Sequence, residues 1–131
     1  DFMPGAPELL ELLKGHYQLY LVSNGTAMVQ DCRLRDSGVE NYFQGIFISE
    51  RIGVDKPQKE FFDRSFAVIP DFNPSQAMII GDSLTSDIRG GNNAGIQTCW
   101  YNPKHKPRRT DIHVDYEISD LMELPKLLET L

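Results

Sequence analysis

The chain has 131 residues, 40% of them hydrophobic, and a formal net charge of −6. That length suits one ordinary domain, the apolar content argues against disorder, and the acidic balance speaks against broad nucleic-acid or anionic-membrane binding. No apolar run approaches the roughly 20 residues of a membrane span, the start resembles no signal peptide, and a cytoplasmic protein is expected.

The first element predicted is a helix opening at Pro7, where a missing N–H costs nothing. Leu9, Leu10 and Leu13 recur at helical spacing, and Gly15 closes it. Residues 17–22, an apolar run of strand formers, read as a strand that ends in Ser23-Asn24-Gly25-Thr26. A helix with Met28, Val29 and Cys32 on its apolar stripe and Gly38 at its end follows. Residues 45–49 read as a second short strand, then residues 50–56 as a loop, then a helix opened by Pro57. Phe62, Phe66 and Ile69 take the core face of that helix. A Pro-rich connector, 70–74, leads into a third strand, 77–80.

This strand stops at Gly81-Asp82, turns through Ser83, and launches a helix over 84–94, with Leu84, Ile88 and Gly91 on one face. Gly90-Gly91 would weaken an isolated helix, so the pair is read as a means of close approach to the sheet. Gly95 ends the helix. Residues 96–101 form a fourth strand, with Cys99 and Trp100 on opposite faces. The two cysteines, Cys32 and Cys99, make neither a disulfide framework nor a CxxC metal pair, and both read as filling. Residues 102–111 make a basic loop, in which Lys104, Lys106, Arg108 and Arg109 stand beside His105. Such a run is most simply solvated surface, the alternative being a grip on a ligand. A last strand, 114–118, precedes a final helix over 121–131 that restarts at Pro125.

Strand and helix thus alternate five times, which argues for an α/β fold: a three-layer, Rossmann-like parallel sheet with helices on both faces. Right-handed crossovers would put every strand-to-helix turn on one edge. That edge would collect Ser23, Asn24 and Gly25, then Lys56, then Asp82 with Asp87. These are the parts of a phosphate site: a hydroxyl and backbone N–H groups, a cation, and hard carboxylate oxygens suited to Mg²⁺. Each part alone has a bland reading, since Ser-Asn-Gly is a common turn and acidic residues favour helix starts. Their succession on strand ends favours function.

Three of these segments resemble the haloacid-dehalogenase-like phosphohydrolase superfamily. Residues 21–25 (Leu-Val-Ser-Asn-Gly) are similar to its second motif, residues 52–57 (Ile-Gly-Val-Asp-Lys-Pro) to its third, and residues 79–87, with Gly81-Asp82 and Asp87, to its acidic fourth. Within the family the chain resembles the small-capped branch that includes the pyrimidine 5′-nucleotidases, also through residues 43–50, 93–100 and 118–121. The resemblance implies a Mg²⁺-dependent phosphate monoester hydrolase working through an aspartyl-phosphate, on a small phosphorylated substrate such as a nucleoside monophosphate. In it Ser23 and Lys56 are catalytic, and both hold the phosphoryl group together with Asn24 and Gly25. Asp82 and Asp87 form the metal site, with Asp87 either at the metal, directly or through water, or holding Lys56.

The family's first motif, Asp-x-Asp-x-Thr or Val, is absent from these 131 residues. It carries the attacking carboxylate and lies ahead of the helical cap. Residues 1–131 are therefore expected to be one core-domain portion of a longer enzyme, the C-terminal part, without the cap. The missing first strand would lie between the strand ending at Val22 and the one ending at Asp82, so the chain alone is expected to be inactive and unstable. The alternative is a catalytically inactive module that binds phosphate or a partner through the same fold.

Overall fold

The computed structural model describes residues 6–23 and 42–131, which form two compact units, one of residues before 52 and after 119, the other of residues 52–119. In the first unit, helix α1 (Ala6–Leu13) buries Leu9, Leu10 and Leu13, the leucines set at helical spacing. Strand β1 (Tyr20–Ser23) pairs in parallel with β2 (Gly45–Ile48), from Tyr20 opposite Gly45 to Ser23 opposite Ile48. Leu10 packs against Leu19, Leu21, Tyr42, Phe43 and Ile46. β1 is shorter than the run over 17–22 suggests, because Tyr17 pairs only through an isolated bridge to Lys14. A helical turn, α2 (Ser49–Ile52), stands where strand end and loop were expected. Its Glu50 precedes Arg51, the order the helix dipole favours. At the other end of the chain, a 3₁₀ turn (Leu121–Glu123) capped by Asp120 runs into α5 (Leu124–Glu129), with Pro125 in its first turn. Both lie against α1. The helix expected over residues 26–38, with Cys32, falls outside the described residues.

The second unit holds a parallel ladder in the order β3 (Met78–Gly81), β4 (Gln97–Tyr101), β5 (Tyr116–Ile118). Gly81 is opposite Trp100, and Tyr101 opposite Ile118. The ladders are parallel and interleaved with helices, as strand–helix alternation requires. Among the described residues they fall into two groups, and β1 and β3 each end a ladder.

Helix α3 (Lys59–Phe66) buries Phe61 and Phe62. The helix expected over 84–94 is two pieces: a π turn (Leu84–Ile88) and α4 (Arg89–Ala94), closed by Gly95. The glycine pair does what its sequence suggests. A Cβ at Gly91 would sit 2.6 Å from Thr98 Cγ2 and 2.7 Å from Ile79 Cγ2, both on strands, while one at Gly90 would meet the Phe62 ring at 2.6 Å. α4 therefore rests on β3, β4 and α3 at backbone distance. Trp100, 2% exposed, is packed among Ile88, Ile112 and Val114, and Cys99 is buried. No helix among the described residues is long and apolar enough to cross a membrane.

Candidate functional site

The site is assembled at the carboxyl end of β3, where parallel sheets place their ligands. β3 ends at Gly81; Asp82 follows, exposed, and Ser83 caps the π turn, its Oγ accepting from the Ser86 N–H at 3.2 Å. The Asp87 and Ile88 N–H groups both donate to the Ser83 carbonyl, at 3.0 and 3.1 Å. The second is the wide bond of a π turn, a device often found at functional sites. It delivers the Asp87 carboxylate back against the strand end. A Cβ at position 81 would overlap Asp87 Oδ2, so only glycine leaves room for that carboxylate.

Lys56 meets it there. Its Nζ stands 2.6 Å from Asp87 Oδ1, in a pair whose side chains are 8% and 13% exposed. Asp87 Oδ2 lies 3.4 Å from the Ser83 N–H. The Lys56 segment is held by its own turn, the Gln58 N–H donating to the Asp55 carbonyl at 3.0 Å, and by the Asn93 amide, which donates to the Pro57 carbonyl at 2.8 Å. A shielded ion pair stands in a lower dielectric than surface pairs, and each charge depends on the other to remain there.

The Asp82 carboxylate has no hydrogen bond or ion pair among the described residues. Its carbonyl accepts from the Trp100 indole at 3.1 Å, which ties this turn to the end of β4. The donor set fits a magnesium ion in part: Asp82 offers a hard, exposed carboxylate, and such an ion commonly takes one or two carboxylates and keeps several waters. No group of three or more potential ligand side chains gathers among the described residues. Of the roles open to Asp87 in the sequence, its geometry is that of a carboxylate holding Lys56.

Structure therefore brings Lys56, Asp82 and Asp87 to one turn. Ser23 ends β1 in the other unit, opposite Ile48. Asn24 and Gly25 lie outside the described residues. Sequence reasoning missed Trp100 and Asn93 as supports. The glycine directly before Asp82 was the one local signal of a close contact to come.

A family profile described as haloacid dehalogenase-like hydrolase matches residues 1–101, and the chain belongs to that family. It is similar to the pyrimidine 5′-nucleotidase PynA of Streptococcus pneumoniae, 41% identical over 97% of this chain and 54% of that protein. It is also similar to the pyrimidine 5′-nucleotidase YjjG of Escherichia coli, 37% identical over 96% of this chain and 56% of that one. Among solved structures, the magnesium-bound crystal form of YfnB from Bacillus subtilis aligns with a TM-score of 0.94 at 47% identity, covering 96% of this chain and 55% of that one. The chain spans about half the length of the curated relatives it matches.

Proposed function

We propose that this chain is the C-terminal core portion of a longer Mg²⁺-dependent phosphate monoester hydrolase, nucleotidase-like in substrate. The observation that carries the reading is the shielded Lys56–Asp87 pair, 2.6 Å apart, set one turn from the exposed carboxylate of Asp82. Family membership supports hydrolase chemistry, and the likeness to PynA and YjjG, each named a pyrimidine 5′-nucleotidase, supports the substrate class.

In this reading the attacking carboxylate comes from residues outside this chain. Its oxygen bonds to phosphorus as the P–O bond to the leaving alcohol breaks, and a general acid, also outside this chain, protonates that alcohol. Water then cleaves the aspartyl-phosphate to inorganic phosphate and the free carboxylate. Lys56 binds the phosphoryl oxygens and stabilises the charge that grows on them in the transition state. Asp87 fixes the ammonium beforehand, so that little reorganisation is needed when the phosphoryl group arrives. Ser23, through its hydroxyl, and Asn24 with Gly25, through backbone N–H groups, hold the remaining oxygens. Asp82 would hold the metal, with Asp87 beside it, and the ion would supply charge neutralisation and orientation of the phosphoryl oxygens.

The test is turnover of a panel of phosphate monoesters, pyrimidine nucleoside monophosphates included, by the full-length protein with Mg²⁺. Activity that falls by about a hundredfold or more in Lys56→Ala, with the fold retained, is expected. No turnover of any monoester would favour an inactive phosphate-binding module, and wild-type kcat in Lys56→Ala would refute the role given to Lys56.

A further inference from the structure

The basic loop after β4 leaves the sheet at the same edge as Asp82, because β3 and β4 are parallel neighbours with Gly81 opposite Trp100. One contact ties the strand it leaves to the site, and another ties the loop itself. The Trp100 indole holds the Asp82 carbonyl at 3.1 Å, and Arg89, two residues beyond Asp87, pairs with Asp111 of the loop at 2.7 Å.

The loop is also ordered from within. Asn102 is 3% exposed; its amide donates to the Lys106 carbonyl at 2.9 Å and its Oδ1 accepts from the Lys106 N–H at 3.0 Å. The same amide reaches Glu117 at 3.0 Å. Its charges divide into two kinds. Arg108 is spent on Glu117 and Arg109 on Asp111. Lys104 and Lys106 are exposed, and neither ammonium has an ion-pair partner among the described residues. A positive patch on a chain of net charge −6 is a local feature, not a consequence of composition.

We propose that this loop is a second anion site, taking a second phosphate carried by the leaving group of the substrate. The two guanidinium forks are already engaged, and what remains is a pair of ammonium point charges, a kind of group that also binds phosphate. Preordering by Asn102 lowers the entropy lost on binding. The inference rests on the hydrolase reading of the neighbouring turn and narrows its substrate class to bisphosphorylated monoesters.

The test compares thymidine 5′-monophosphate with thymidine 3′,5′-bisphosphate as substrates of the full-length protein, wild type against a Lys104→Gln, Lys106→Gln double variant. The expected result is a kcat/KM about fivefold higher for the bisphosphate in the wild type, as exposed charge pairs allow. That preference falls to about one in the double variant and at high salt, while monophosphate turnover is unchanged. In parallel, calorimetry with EDTA present measures bisphosphate binding without turnover and should show the same loss. A wild-type ratio of one, or a variant that lowers both substrates equally, overturns the proposal. Should neither nucleotide turn over, the calorimetric difference alone decides whether the loop binds the second phosphate.

Discussion

Replacing Gly81 by alanine adds one methyl group at the point where the site is tightest. An ideal Cβ there would overlap Asp87 Oδ2 and stand 2.5 Å from its Cγ and 2.6 Å from its Cβ. Rotation about the Asp87 side chain moves the oxygen but not the Cβ, so the π turn itself must retreat, by about 1 Å to restore ordinary contact. That retreat draws the carboxylate away from a lysine held at 2.6 Å, in a pair too shielded for water to substitute freely. A misplacement of about 1 Å in a positioning group costs on the order of a hundredfold in rate, and overpacking of this kind destabilises by about 1–3 kcal/mol. The assay is kcat on a saturating phosphate monoester together with thermal unfolding of the full-length variant. Gly91→Ala is the control, since its Cβ overlaps Thr98 and Ile79 to a similar degree without touching Asp87. Gly81→Ala should lose far more activity per degree of lost Tm than Gly91→Ala. Equal losses, or wild-type kcat in Gly81→Ala, would refute the claim that glycine is there for the carboxylate.

Gly91→Ala itself should lower stability by about 1–3 kcal/mol, read by chemical denaturation, because α4 can no longer rest on the strands. Asp115 supplies a pH signature. Burial raises its pKa, but the Thr98 backbone N–H at 2.9 Å, His113 at 2.7 Å and the Thr98 hydroxyl at 3.2 Å outweigh it and hold the carboxyl below its ordinary value. A depressed carboxyl contributes its stability above the unfolded value, near pH 4, and loses it as pH falls through the folded one. Asp115→Asn should therefore cost about 1–2 kcal/mol near neutral pH and flatten the acid limb of the stability curve; an unchanged acid limb would show that the carboxylate is not engaged in solution. Trp100→Phe keeps an aromatic ring but removes the indole donor to the Asp82 carbonyl and leaves a small cavity, and should cost about 2–3 kcal/mol in stability with a measurable loss of kcat; unchanged kcat would detach β4 from the site.

Much of the site was legible because local sequence determines it. A buried run ending in Gly-Asp places one carboxylate at a strand tip, and a lysine before proline after another strand supplies the cation. Paired glycines announced the close helix, Gly91 against the strands and Gly90 against Phe62 of α3. What the chain did not disclose depends on residues far apart in sequence. The resemblance offered Asp87 either the metal or Lys56, 31 residues away, without deciding between them, and nothing in the pattern at 84–94 distinguishes a π turn from an ordinary helical start. The Trp100–Asp82 bond joins residues 18 apart, and a tryptophan in a strand reads as core until its N–H finds a carbonyl. The short turn at Ser49–Ile52 was read as loop because four residues carry too little periodicity to register.

The central claim is a division of labour between two carboxylates on one turn, Asp82 for the metal and Asp87 for the lysine. Titrating Mg²⁺ into Asp82→Asn and Asp87→Asn of the full-length protein, with hydrolysis as the readout, separates them. The expected result is a Mg²⁺ requirement raised about tenfold or more in Asp82→Asn, against a lowered kcat with a nearly unchanged requirement in Asp87→Asn. A rise in the metal requirement of Asp87→Asn as large as that of Asp82→Asn would contradict it.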